Sequence, residues 1–338
     1  MIGASGPGGI AAEGRMIGSL GRRAALALPA LLLGARAARA EFPDRPVRLV
    51  VPAAAGGTAD ILARLLAGRL GEAWGQPVVV DNRSAGRGIV GTEAVARAAP
   101  DGTVLGLFAS NHAINPIVFP LPYDTFRDFA PVAPVATAPG VLVVNPARLD
   151  VRDLAGAIAA VRAAPGRYNF ASPVPLTAGH RSMELIKHLS GTDMQHVPYN
   201  GGALAVNDLL AGNVQLLVIA APSVAGHITS GRLRALAVTS PARFAGMPDL
   251  PTVAESGFPG FDSVEWYGVF ARAGTPDPII RRIAADVARA LTLPEMRAQL
   301  ATLGAVPGVG GPDELGAMLR AEYERWRALA REINLRVE

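Results

Sequence analysis

Residues 47–60, VRLVVPAAAGGTAD, constrain the fold more than any other segment, because they carry a buried strand into a helix through two adjacent glycines. Val47, Leu49, Val50 and Val51 make a short apolar strand, and Pro52, which lacks an N–H, ends its ladder. Gly56 and Gly57 are expected to take backbone angles closed to residues with side chains. Thr58 or its neighbour is then expected to cap a helix whose apolar stripe is Ile61, Leu62, Leu65, Leu66 and Leu70. A helix start of this kind turns unpaired N–H groups and the positive end of the helix dipole toward a phosphate or carboxylate. Taken alone, the pattern equally fits an ordinary strand–helix connection of an α/β domain.

The same alternation continues almost to the end of the chain, which predicts parallel sheets with helical crossovers. After the first helix come a strand at 77–82, a glycine loop, a helix at 91–99 and a strand at 104–109. Two extended pieces follow at 131–136 and 141–145. A second series runs through helix 151–164, strand 168–171, helix 177–190, strand 194–198, helix 203–211, strand 214–219, helix 223–230 and strand 233–239. A last extended segment at 263–271 leads into helices beginning near Pro278, Pro294 and Pro312. No long linker separates the two series. Short crossings at 132–139 and 264–270 would give two α/β lobes joined by two strands, with the C-terminal helices returning to the first lobe. A cleft between such lobes collects strand ends and helix starts from both sides.

The first 40 residues read as a secretion signal. Arg22 and Arg23 form a basic start, 24–33 is an apolar run, and Ala38-Arg39-Ala40 is a small-x-small cleavage site before Glu41. The run is too short to span a bilayer, the arginine pair is compatible with the twin-arginine route, and Met16 lies close enough to it that residues 1–15 read as an over-extended start. The sequence pI of about 9.9 belongs partly to this segment. Removing it takes five of the 32 basic and one of the 28 acidic residues, leaving 27 of each. A neutral chain without a basic run has no electrostatic footprint for nucleic acid. Cysteine is absent, which excludes disulfides, thiol catalysis and a lipid-modified N-terminal cysteine. A soluble, monomeric protein of a Gram-negative periplasm is the expectation.

Two motifs fail their own structural requirements. Gly86-Arg87-Gly88-Ile89-Val90-Gly91 matches G-x-G-x-x-G, but the loop from the preceding strand is too long for the tight dinucleotide turn and no acidic strand end follows about 20 residues on. These glycines are expected to close-pack on a cleft rim. The five histidines show no metal-ligand spacing. A hydrolase built from Ser172 or Ser110 with His180 and Asp60 lacks a nucleophile elbow. No cofactor, metal or catalytic residue is therefore assigned. The segments 169–180, NFASPVPLTAGH, and 197–203, VPYNGGA, instead repeat the opening strand–loop–helix theme.

Six segments, taken in order, resemble a known family: GQPVVVDNR at 75–83, PDGTVL at 100–105, HAINP at 112–116, HVPYNGG at 196–202, GRLRALAVTS at 231–240 and LPTVAESGFPGF at 250–261. They are similar to the tripartite tricarboxylate transporter substrate-binding proteins, also called the Bordetella uptake gene family, over essentially all of the chain from Phe42. The resemblance implies a type 2-like periplasmic binding protein fold: two mixed sheets with flanking helices and two hinge strands. The lobes would be 41–137 with 266–338, and 138–265. It also implies capture of a small organic carboxylate for a membrane permease of one large and one small subunit, without catalysis. A receptor for a sensor kinase and a periplasmic hydrolase are the alternatives. The expected ligand-binding residues are Ala54, Ala55, Gly56, Gly57, Thr58 and Asp60; Ser110 and Asn111; Ser172, Pro173, Thr177 and His180; Tyr199, Asn200, Gly201, Gly202 and Ala203; and Pro222. The carboxylate would be held largely by backbone amides and ordered water. Ala54-Ala55 replaces the family's usual proline pair, 173–176 is PVPL where a serine-glycine stretch is usual, and Ile219 stands where an acidic residue is frequent. The expected ligand thus has one recognised carboxylate and a less polar remainder, unlike citrate.

Overall fold

In the computed structural model, which describes residues 42–199 and 201–332, the alternation becomes two parallel βαβ blocks around a pair of long antiparallel strands. The signal segment 1–40 lies outside the described residues. Strand β1 (Val47–Val51), helix α1 (Thr58–Trp74) and β2 (Val78–Asn82) form the first unit, and β3 (Val104–Ala109) pairs on the other side of β1, all parallel. Helix α1 buries Leu62, Leu66 and Leu70, one face at helical spacing. A single 3-10 turn, Ala85–Gly88, and helix α2 (Ile89–Ala96) join β2 to β3, and a short helix α3 (Asn111–Val118) follows β3. The sequence reading passed over α3, which contains Pro116.

Strand β4 (Phe129–Val144) runs for 16 residues where two separate pieces were expected. The stretch 137–140, left between the two expected pieces, continues the ladder, and Pro131 and Pro134 sit at register shifts, where a missing N–H costs no ladder bond. The second block follows: α4 (Leu154–Ala163), β5 (Asn169–Ser172), α5 (Ala178–Ser190), β6 (Gln195–Pro198), α6 (Gly202–Ala211) and β7 (Leu216–Ala220), with β5 parallel to both β6 and β7. A 3-10 turn, Ala221–Ser223, precedes the short α7 (Ala225–Thr229), and then come β8 (Arg234–Val238) and β9 (Val264–Arg272). The chain closes with α8 (Asp277–Thr292), α9 (Pro294–Thr302), β10 (Val306–Pro307) and α10 (Pro312–Glu332).

The hydrogen-bonded path is β2-β1-β3-β9-β4-β7-β5-β6, with β8 and β10 also on β4. Residues 129–139 of β4 pair with β9, while 140–144 pair with β7 and β8. β4 thus belongs to both halves of a curled mixed sheet. Helix α10 packs over β4 and α3, and α8 over β4 and α1. No described helix is long and apolar enough to cross a membrane.

This topology fixes where a site can be. The parallel strands β1 and β3 end at Val51 and Ala109, and Ala109 lies opposite Tyr267 at the beginning of β9. In the other block Ala220, the end of β7, lies opposite Gly140, one residue beyond the β9-paired part of β4. The carboxyl ends of both blocks, and the helix starts that follow them, therefore meet around 137–140 and 264–267, the switch point at which open α/β sheets place ligands.

Candidate functional site

The first wall is the β1–α1 turn. Ala54, Ala55, Gly56 and Gly57 are exposed and Thr58 is half-buried. Gly56 has φ +81°, the left-handed region that favours glycine, but Gly57 is extended at φ −79° and does not need its glycine for backbone reasons. Gly57, and not Thr58, is the N-cap, and no side chain caps this helix start. The Thr58 side chain instead lies beside the phenol of Tyr267 on β9. Buried Asp60 braces the loop from below, accepting from Gly56 N at 2.8 Å and pairing with Arg64 at 3.0 Å. Burial pushes its carboxyl up, but the bonds from Arg64, Gly56 and Asn82 outweigh that and hold it below its ordinary range. The glycine loop behind packs on this wall. A Cβ at Gly91 would lie 2.6 Å from Arg83 O and 3.1 Å from Pro52 Cα, and one at Gly88 would strike Pro52 O.

The second wall is the β5–α5 loop, where the chain departs from its expected wording. Leu176 is fully buried at φ +63°, a strained position for a branched side chain. Its N–H donates to His180 Nδ1 at 3.0 Å and its carbonyl accepts from Arg181 at 3.0 Å, so both ends of the strained peptide are held. His180 and His196 stack with ring centroids 4.0 Å apart, and Phe170 stacks on His196. The Ser172 hydroxyl shares a 2.7 Å hydrogen bond with His196 Nε2. Burial, then the neighbouring His196, Arg181 and Lys187 charges, lower His180 to about 3. Burial and Lys187 lower His196 to about 4. Both rings are neutral at pH 7, as an acceptor Nδ1 on His180 requires. The hydrolase triad does not assemble: Ser172 meets His196, His180 is occupied by Leu176, and Asp60 is engaged on α1.

Thr177 is the N-cap of α5, but its hydroxyl donates to Val174 O at 2.8 Å and does not itself cap the helix N–H groups. Gly201 begins α6, its N–H bound to Pro173 O at 2.8 Å, so the third turn is tied to the second. Gly202 and Ala203 open that helix. The Tyr199 backbone binds Ser172 O at 3.0 Å, and its phenol donates to Asp208 at 2.6 Å. Burial and Asp208 raise this phenol to about 12. Asn200 lies outside the described residues. Pro222 is exposed in the 3-10 turn after β7, and a Cβ at Gly304 would lie 3.3 Å from its Cδ. Ile219 is buried and packs toward Gly202.

Ser110 and Asn111 sit at the start of α3. Ser110 is fully buried, and its partners are residues that sequence reasoning missed. Glu265 Oε1 accepts from Ser110 N at 2.9 Å and from the Ser110 hydroxyl, while Oε2 accepts from Ala178 N at 2.8 Å, the first residue of α5. One carboxylate is thus shared by helix starts from both blocks. Arg181, fully buried, donates to Ser110 Oγ and Glu322 Oε1, each at 2.8 Å, and lies 5.1 Å over the Trp326 ring. Burial raises Glu322 above its ordinary range, with Arg181 opposing. Two sequence signals pointed here: a lone acid in the apolar strand VEWYGVFA, and an arginine on the buried stripe of α5.

This architecture recurs in known proteins. The family model described as tripartite tricarboxylate transporter family receptor matches residues 62–335. A protein from the tcbD-tcbE intergenic region of Pseudomonas sp. (strain P51) is 38% identical over 94% of this chain and 96% of its own. Protein BugT of Bordetella pertussis is 37% identical over 88% and 92%. Among solved structures, R. palustris Rpa4515 with adipate has a TM-score of 0.81 at 36% identity, covering 87% of this chain and 99% of its own. MatC from Rhodopseudomonas palustris with bound malate has a TM-score of 0.77 at 31% identity, covering 85% and 99%. With the model spanning most of its length and these relatives nearly end to end, the chain belongs to the tripartite tricarboxylate transporter receptor family.

Proposed function

We propose that the protein is a periplasmic receptor that captures a small organic carboxylate between two lobes, 41–137 with 266–338 and 138–265, hinged on β4 and β9. It acts as a monomer and hands its ligand to a membrane permease of one large and one small subunit. The observation that carries the reading is the meeting of helix starts from both blocks: those of α3 and α5 already hold a carboxylate, that of Glu265, while the start of α1 has no side-chain cap. Amides fixed by their helices need no rearrangement to receive an anion. The adipate and malate held by the structural neighbours support the ligand class. Ligand entry draws the two walls together, and the closed form is the one the permease recognises. No bond is made or broken in the ligand.

Thermal unfolding of residues 41–338 against a panel of carboxylates and amino acids tests this. A ligand at about 100 times its Kd adds roughly 2.7 kcal/mol, which raises the midpoint by about 4 °C in a chain this long. A rise confined to carboxylates is the expected result. Silence across all of them, after removal of any co-purified ligand, would overturn the reading.

A further inference from the structure

We infer that Glu265 is a specificity-determining residue, whose carboxylate fills the seat a second ligand carboxylate would take and so restricts the ligand to one. The inference rests on the receptor reading above. Both oxygens of Glu265 are committed, Oε1 to the start of α3 and Oε2 to the start of α5. The amides that could bind an anion from both blocks at once are therefore satisfied from within the chain.

The nearby charges point the same way. Arg181 is the buried cation at this junction, and it is already engaged by Glu322 and Ser110. An incoming second carboxylate would meet the charges of Glu265 and Glu322, and the Arg181 charge is already paired with Glu322. The start of α1 differs, since Gly57 has no side-chain cap. Tyr267, two residues along β9 from Glu265 and on the same strand face, lies beside Thr58 at that helix start. Two strand residues span about 7 Å, within reach of a short diacid. A ligand whose first carboxylate sits on α1 would thus carry its far end toward Glu265. An uncharged far end fits there, and an anionic one is repelled.

Matched pairs test this by titration calorimetry: hexanoate against adipate, and butyrate against succinate, with the wild type, E265S and E265Q. The wild type is expected to favour the monoacid of its better-bound pair at least tenfold. E265S, with the seat vacated, is expected to gain at least tenfold on the diacid. Free acetate should raise the melting temperature of E265S saturably and leave the wild type unmoved, because it replaces the missing carboxylate. Should E265S not fold, E265Q, which keeps the side-chain shape without the charge, carries the same expectation for the acid ratio. A wild type that binds diacids as tightly as monoacids, or variants that leave the ratio unchanged, would overturn the inference while leaving the receptor reading standing. Failure of every carboxylate to bind wild type and variants alike would overturn both.

Discussion

His112, the second residue of α3, is 2% exposed and neither ring nitrogen has a hydrogen-bond partner among the described residues. Its ring lies among Phe108, Phe129, Phe270 and Tyr123, at centroid distances of 4.7, 4.9, 5.2 and 6.3 Å. Burial alone lowers its pKa from 6.5 to about 3. In the unfolded chain the ring takes up a proton near 6.5, whereas in the fold it stays neutral down to about 3. Its contribution to stability is thus complete above 6.5 and drains away as pH falls, at about 1.4 kcal/mol per unit. At pH 5 the loss is about 2 kcal/mol. His112→Phe keeps the aromatic nest and deletes the titration. It also removes two unpartnered polar atoms, worth about 1–3 kcal/mol, against some overpacking from the larger ring. Urea unfolding of both proteins at pH 7.5 and pH 5 isolates the effect, because His180 and His196 titrate equally in each. The variant should gain about 2 kcal/mol relative to wild type on going to pH 5. An identical difference at the two pH values would mean that His112 is not held neutral by burial.

Gly91→Ala should destabilise by about 1–3 kcal/mol in the same assay, since its Cβ would press on the backbone of Arg83 and Pro52, which cannot swing away. It should also weaken ligand binding in calorimetry, because Pro52 begins the α1 loop. Arg181→Met should cost about 3–5 kcal/mol in urea unfolding, as Glu322 loses the partner that sustains its buried charge. The double variant Arg181→Met, Glu322→Gln should recover part of that loss.

Strands were legible because apolar runs such as 47–51 and 104–109 have few other ways to be buried. Helix α3 was not, since NHAINPIV is short and holds a proline, and packing of Ala113 and Ile114 in the core overrides its weak propensity. The unity of β4 was hidden at 137–140, TAPG, where the strand passes from pairing with β9 to pairing with β7. In the site, helix starts could be read from glycines and strand ends. The shared carboxylate could not, because Glu265 reaches partners 155 and 87 residues away in sequence, and no local pattern encodes such a meeting. Of Thr58 and its neighbour, the two candidates for the cap, threonine favours that position by chemistry, yet it is Gly57 that occupies it.

The ligand carboxylate is proposed to sit on the uncapped start of α1. Calorimetric titration of Gly57→Val beside the wild type, with the carboxylate that most raises the melting temperature, tests it most directly. At φ −79° a side chain strains nothing, and its Cβ meets only Ala54 O at an ordinary 3.5 Å, so the fold is retained. Binding should weaken by at least about 100-fold, the ~2.7 kcal/mol expected when a branched side chain covers charge-assisted amide bonds. Unchanged affinity in a folded variant would contradict it and move the ligand away from the start of α1.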